Sequence, residues 1–451
     1  DVSSLAGLAY LIFLAFIVLR LFRRPAQGSL EYIVAGRRLT LPAFTASLVT
    51  TWYGGILGVG EYTFSYGVSN WLVFGVPYYL YAGVFALFLA ARARRSEVLT
   101  VPDLLERRFG RPAALVAAAV LFVMTAPAAY VLMLGVLVNF ALGWPLWLGV
   151  ATGTALSIAY VFRGGLRAVV ATDVVQFFLM FLAFAVLVPV CVAKFGGIGF
   201  LKEALPAGHL EWDGGLGFQA IAVWYFIALS TLVEPAFYQR CYAARDEGVA
   251  KKGIAAAIAF WICFDFLTTT AGLYARAVLP DLADPVQAFP ALAAAVLPGF
   301  WQGVFTVGLL ATIMSTVDSY AFIGSVTLGR DLIGRWRGRA DEENLTLVRW
   351  SLVATAVVAV TLALVSGSVI ELWKTLGSVG TPVLLLPLIL AHGRREVAGG
   401  RMVAAMVLAG ATSLGWLVAG GGNPFLGVEA IFPGLAVSVV ILGGMFLRRA
   451  S

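Results

Sequence analysis

The stretch Leu48–Phe64 reads LVTTWYGGILGVGEYTF, apolar enough for a membrane span, yet it carries Gly54, Gly55, Gly58, Gly60 and the acid Glu61. Each glycine costs a helix interior about 1 kcal/mol relative to alanine, so the cluster marks a close packing contact or an interruption. A second stretch, Ala228–Arg240, reads ALSTLVEPAFYQR and poses the same choice. Pro235 removes a backbone donor and crowds the carbonyl four residues earlier, so an apolar helix kinks or opens there. Packing glycines or a simple proline kink explain either stretch alone. Where the two stretches fall in the chain decides between the readings.

Around them lie apolar runs long enough to span a bilayer. Thirteen spans are read, at 3–22, 40–66, 70–91, 112–141, 144–161, 166–193, 216–239, 250–279, 300–329, 346–366, 369–391, 399–419 and 430–447. The chain is 61% hydrophobic and 12% charged, which excludes an ordinary soluble globule of 451 residues. A formal charge of +7 suggests nucleic acid only until the basic residues are placed on the loops. With the N-terminus outside, 27 of the 31 lysines and arginines fall on alternate, cytoplasmic segments; Lys194, Lys202, Arg276 and Lys374 are the exceptions. Cytoplasmic loops collect Lys and Arg, and a miscounted span would reverse every later loop. The first span lacks a basic leader and a small-residue cleavage site, so it reads as an anchor rather than a signal peptide. The chain therefore reads as a multi-pass protein of the inner (plasma) membrane with a cytoplasmic C-terminus, held in lipid, without nucleic-acid partners and functional as a monomer.

The expected organisation is a leading helix and cytoplasmic loop (1–39), a first group of five helices (40–194) and a second group of five (195–391, with an external loop 195–215). Two trailing helices (392–451) complete it. An odd number per group makes the second group enter from the opposite side. The two suspect stretches then occupy the first helix of each group. Interrupted helices at matching positions of inverted repeats are where transporters hold their ligands.

Buried acids supply the chemistry. The spans contain Glu61, Asp173, Glu234, Asp265 and Asp318, with Arg276 near an outer end and no lysine or arginine mid-span in the first group. A carboxylate in hydrocarbon needs a partner, and a hard cation with oxygen ligands is one. In Ala311–Tyr320, ATIMSTVDSY, helical spacing puts Ser315, Asp318 and Ser319 on one face and Thr312 and Thr316 on an adjacent stripe. The plain alternative is that each hydroxyl bonds the carbonyl one turn back. The cysteines Cys191, Cys241 and Cys263 lack metal spacing and read as buried, inert thiols. His209 and His392 lie far apart, and no HExxH or Gly-x-Ser-x-Gly pattern supports an enzyme.

At this point the chain resembles the sodium:solute symporter family. The resemblance is carried by EYIVAGRRL (Glu31–Leu39), LTVPDLLERRFG (Leu99–Gly110), GGLRAVVATDVVQFFLM (Gly164–Met180), FYQRCYAARDE (Phe237–Glu247) and ATIMSTVDSYAFIGSVTLGRD (Ala311–Asp331). It implies an all-α, leucine-transporter-like five-plus-five inverted repeat and sodium-driven import of a small organic solute by alternating access. By position, sodium would be bound by the carbonyls of Thr50, Tyr53 and Thr312 and the hydroxyls of Ser315 and Thr316. A second cation site would use Asp173, Ser315, Asp318 and Ser319, with Asp318 replacing the family's usual small hydroxyl residue. Solute would meet Trp52, Gly55, Leu57, Ser230, Thr231 and Glu234. Sugar- and proline-specific members differ at Trp52, Leu57 and Glu234-Pro235, so no substrate carries over. Aromatic walls beside one carboxylate suit a small amphipathic solute. The alternatives are a proton-coupled symporter of the same fold and a membrane solute sensor without bulk transport.

Overall fold

The computed structural model describes residues 7, 9, 10, 12, 14–16, 26, 28–338, 344–366, 369–393 and 395–447, without side-chain surroundings for 366, 369–374 and 444–447. Most of the expected leading span, 3–22, lies outside the described residues. Among those described, nine helices are long and apolar enough to cross a membrane, from Trp71–Arg95 to Gly399–Ala419. Three shorter apolar helices, Pro285–Val296, Thr375–Ala391 and Ile431–Gly443, accompany them. The expected span 112–141 is two helices, Arg111–Met124 and Ala128–Leu142, parted at Thr125–Pro127.

The elements that build the centre are α1 (Leu41–Trp52), α2 (Ile56–Tyr66), α3 (Val101–Phe109), α4 (Leu146–Gly164), α5 (Leu166–Phe195), α6 (Phe218–Ile227), α7 (Pro235–Ala243), α8 (Glu247–Val278) and α9 (Gly299–Val326). Both suspect stretches are interrupted, to different degrees. Between α1 and α2 lies a 3-10 turn, Tyr53–Gly55, in which Gly55 stays near the helical region at φ −75° and ψ 19°. The glycines there tighten the helix rather than unravel it. Between α6 and α7 a 3-10 segment, Ala228–Val233, ends at Glu234, whose ψ of 113° is extended. Pro235 cannot donate to the preceding turn, so α7 starts afresh with Glu234 as its cap. The Glu234 carboxylate accepts the Ala236 N–H at 3.3 Å.

The long helices α5 and α9 pack closely because one contact is nearly side-chain-free. A Cβ on Gly308 would lie 2.5 Å from that of Ala183. Backbone strapping joins the two broken helices at the arginine-rich end: Leu39 N–H donates to the Ala243 carbonyl at 3.1 Å, and Arg245 N–H to the Leu39 carbonyl at 3.0 Å. Beside the strap, α9 runs on through a wider-wound turn, Thr327–Gly334, that carries Arg330 and Asp331. Arg330 and Arg335 each reach Asp103 of α3 at 2.8 Å, and Asp331 accepts from Thr100 at 3.0 Å. Burial alone would raise the Asp103 carboxyl, but the two guanidiniums outweigh it and hold the group below the usual carboxylate range. Several arginines assigned to solvated loops by charge alternation are thus buried ion-pair members, Arg335 being 1% exposed.

A candidate cation and solute site

The hydroxyl-rich segment of α9 lies against the end of α1. Thr316 Oγ1 donates to the Thr51 carbonyl at 2.7 Å and sits 3.5 Å from that of Thr50. Gly54 makes this possible, since a Cβ there would fall 2.0 Å from Thr316 Oγ1. One turn further along α9, the Ser319 and Thr51 hydroxyls are 2.9 Å apart. Ser315 donates to Asp173 of α5 at 2.6 Å. Back-bonding along the helix therefore describes only some of the hydroxyls. It holds for Thr312, which bonds Gly308 O at 2.7 Å, and for Thr50, which bonds Ala46 O at 3.0 Å. Ser315, Thr316 and Ser319 instead reach other helices. The Thr50 carbonyl also accepts the Tyr53 N–H in the 3-10 turn. Backbone carbonyls and hydroxyls on neighbouring helices form an oxygen-only donor set, which suits a hard monovalent cation.

Arg240 changes the charge balance. Its position at the end of the seventh span assigned it to a cytoplasmic loop, but it is 0% exposed in the middle of the site. Its guanidinium donates to Thr51 at 2.8 Å, Ser319 at 2.6 Å, Ser47 at 3.2 Å and Gln239 at 2.8 Å. It lies 3.6 Å from Asp173, whose other bonds come from Ser47, at 2.5 Å, and Ser315. The placing of Arg240 on a cytoplasmic segment is corrected accordingly: helix α7 folds inward after its break and carries its basic residue with it. The cation among Asp173, Ser315 and Ser319 is a side chain.

Asp318 does not join that group. Residues on a helix are separated by about 100°, and one step from Ser319 turns Asp318 toward α4. There Ser157 and Tyr160 donate to its two carboxylate oxygens. The leading segment packs nearby, with the Tyr10 hydroxyl accepting from Gln176 at 2.9 Å.

Next to the α1–α2 turn and the α6–α7 break lies a cavity of about 180 Å³. Four of the six expected solute residues line it: Trp52, Gly55, Ser230 and Glu234. Leu57 and Thr231 are fully buried and are not among its lining residues, and the Thr231 hydroxyl has no partner among the described residues. The walls missed by sequence reasoning include many aromatic residues, among them Tyr78, Tyr79, Tyr130, Trp224, Trp261 and Tyr320, and a second acid, Asp265. Tyr320 donates to Glu234 at 2.8 Å, and Tyr79 donates to Asp265. Asp265 stands out in the sequence as an acid within a span, but nothing local to its own helix points it at a cavity.

None of the cysteines or histidines lines this cavity. No group of three His, Cys, Asp or Glu side chains able to hold a metal occurs among the described residues. Cys191 and Cys241 are buried as expected, whereas Cys263 is exposed on an outward face of α8, a correction to its reading as a buried thiol. The His209 and His392 rings contact the carbonyls of Phe64 and Leu388 at 3.1 and 2.8 Å.

The family model of the sodium:solute symporters matches residues 32–407, most of the chain and both interrupted helices. The chain belongs to the sodium:solute symporter family. This symporter is a multi-pass membrane transporter, not an enzyme. It is 27% identical to the osmoregulated proline transporter OpuE of Bacillus subtilis (strain 168), over 93% of this chain and 90% of that one. It is also 27% identical to the sodium/pantothenate symporter of Escherichia coli (strain K12), over 97% of this chain and 95% of that one. A Na+-coupled sialic acid symporter, solved in a substrate-bound outward-open state, superposes on the symporter with a TM-score of 0.81. The match covers 99% of this chain and 97% of that one at 13% identity, a likeness of fold alone.

Proposed function

We propose that this symporter couples the inward movement of sodium to the import of a small organic solute by alternating access. The observation that carries the reading is Thr316, seated on the Thr51 and Thr50 carbonyls where α1 gives way to the 3-10 turn. Sodium binds there, held by backbone oxygens of Thr50, Tyr53 and Thr312 and the hydroxyls of Ser315 and Thr316. Trp52 and Gly55 line the neighbouring cavity from the same stretch of chain, so filling one site shapes the other. Residues 40–194 and 195–391 are the two inverted repeats that rock about this centre, and the chain works as a monomer. The arginine-rich end faces the cytoplasm across the plasma membrane, with the N-terminus outside.

The cavity is smaller than the roughly 300 Å³ at the low end of pockets for drug-sized molecules, which fits solutes the size of those named for the relatives. One sodium crossing 100 mV releases about 2.3 kcal/mol, which accumulates a neutral solute some tens-fold at about 1.4 kcal/mol per factor of ten. The test is a thermal-shift screen of a solute library on the purified chain in sodium and in potassium, followed by uptake of the stabilising solutes into proteoliposomes. Sodium-selective stabilisation with sodium-dependent uptake is expected. Equal stabilisation and uptake in potassium overturns the reading.

A further inference from the structure

Building on that reading, we propose that the solute is a small organic cation: an ammonium group held between Glu234 and Asp265, with its carbon body resting on the indole and phenol faces of the cavity.

The charge inventory of the cavity leads there. Two carboxylates line it, while no lysine, arginine or histidine does so among the described residues. The nearest guanidinium, Arg240, is turned away into Asp173, Ser47, Thr51 and Ser319. Its salt bridge is to Asp173; its charge also reaches Glu234, but neither Glu234 nor Asp265 forms a salt bridge among the described residues. Each does have a tyrosine donor, Tyr320 for Glu234 and Tyr79 for Asp265. On Glu234 the two bonds, from Tyr320 and from Ala236 N–H, both fall on Oε1. On Asp265 the tyrosine bond falls on Oδ2. The second oxygen of each acid, Glu234 Oε2 and Asp265 Oδ1, takes no hydrogen bond from the described residues, so each acid has one face left to meet a cationic cargo. A buried unpaired acid is costly in a membrane, and a cationic solute would give these two a partner that the described residues do not.

The walls support the same class. Trp52 stands edge-on to Tyr78 at 5.5 Å between ring centres and is tilted against Trp261 at 5.6 Å, so several ring faces converge on one space. A cation within about 6 Å of such a face is attracted by the ring quadrupole, most strongly when water is excluded, and alkylated ammonium groups are the usual guests of aromatic cages. A sugar would need many aligned donors and acceptors, but two of the tyrosine hydroxyls here are already committed to the acids. An anion would meet two acids and, among the described residues, no basic side chain on the cavity wall.

The test compares choline with 3,3-dimethylbutan-1-ol, its uncharged isostere of nearly the same shape, on the full chain in lipid nanodiscs with sodium present. Quenching of tryptophan fluorescence reports occupancy, because Trp52, Trp224 and Trp261 line the cavity. Choline is expected to bind more tightly than the isostere by on the order of tenfold or more, and Glu234→Gln and Asp265→Asn each to erase that preference. Sodium-22 binding is measured on the same samples. Equal binding of the two probes, or tighter binding of L-proline or D-glucose than of choline, overturns the cation proposal while sodium-22 binding persists. Loss of sodium-22 binding in the unaltered chain overturns the symport reading instead. The unaltered chain alone decides the comparison, so a variant that fails to fold does not rescue the proposal.

Discussion

The Arg240 guanidinium and the Asp173 carboxylate lie 3.6 Å apart, both 0% exposed, at the meeting point of α1, α5, α7 and α9. Breaking a buried pair by removing one partner costs about 3–5 kcal/mol, because the other charge is left without compensation. Arg240→Met should therefore lower the melting temperature sharply, and adding Asp173→Asn should recover much of the loss. In the single variant, added sodium should stabilise more steeply than in the parent, since a cation can then enter beside Asp173. Melting curves across a sodium titration check all three outcomes.

Ser315→Ala combined with Thr316→Ala removes two hydroxyl ligands of the proposed sodium site and leaves the backbone carbonyls. The sodium concentration for half-maximal uptake should rise by on the order of tenfold or more, taking about 1.4 kcal/mol or more as the loss. Thermal stability in potassium should also fall, because Asp173 loses its Ser315 donor, so the sodium effect is read as the difference between melting in sodium and in potassium. Unaltered sodium activation in proteoliposomes would move the site elsewhere.

Gly54→Ala drives a methyl group into Thr316, because on this backbone the new Cβ would stand only 2.0 Å from Thr316 Oγ1. Overpacking of this kind typically costs about 1–3 kcal/mol. Uptake should be lost. Removing the partner's side chain in the double variant Gly54→Ala/Thr316→Gly, which deletes the Oγ1, Cβ and Cγ2 that the methyl would strike, should restore stability in part, which a melting assay reads directly.

Asp103 gives the arginine-rich end a pH dependence. Its carboxyl is held low in the folded chain by Arg330 and Arg335. Its contribution is therefore complete above its unfolded pKa of about 4 and is lost as pH falls through the lower folded value. Acid melting curves should show stability falling from about pH 4 downward, and Asp103→Asn should be less stable near neutrality but flatter in that window.

Much of this arrangement could be read from the residues. Hydropathy and loop charge marked the spans, and the glycine cluster and Glu234-Pro235 marked the two interruptions because both act through local backbone chemistry. The hydroxyls of α9 also declared themselves, since six oxygen-bearing side chains in Ala311–Tyr320 are conspicuous in an apolar segment. Arg240 escaped for a physical reason. Its partners Ser47, Asp173 and Ser319 are scattered over three other helices, and nothing in FYQR separates a guanidinium that folds inward from one that meets water. Asp318 was misplaced by a single helical step, because spacing ranks residues by face without saying which neighbour each face meets. The tyrosines and tryptophans of the cavity were invisible for the opposite reason: aromatic residues are common in membrane helices, and only packing distinguishes those that meet across a void.

The strap between Leu39 and the 243–245 segment is made entirely of main-chain amides and carbonyls. Substitutions that keep the amide nitrogen leave both of its bonds in place, and only proline at position 39 or 245 deletes one. The arginine-rich ends of the two broken helices are thus joined backbone to backbone. Side chains around this joint can therefore change without loosening it, because it is held by groups that every amino acid except proline brings with it.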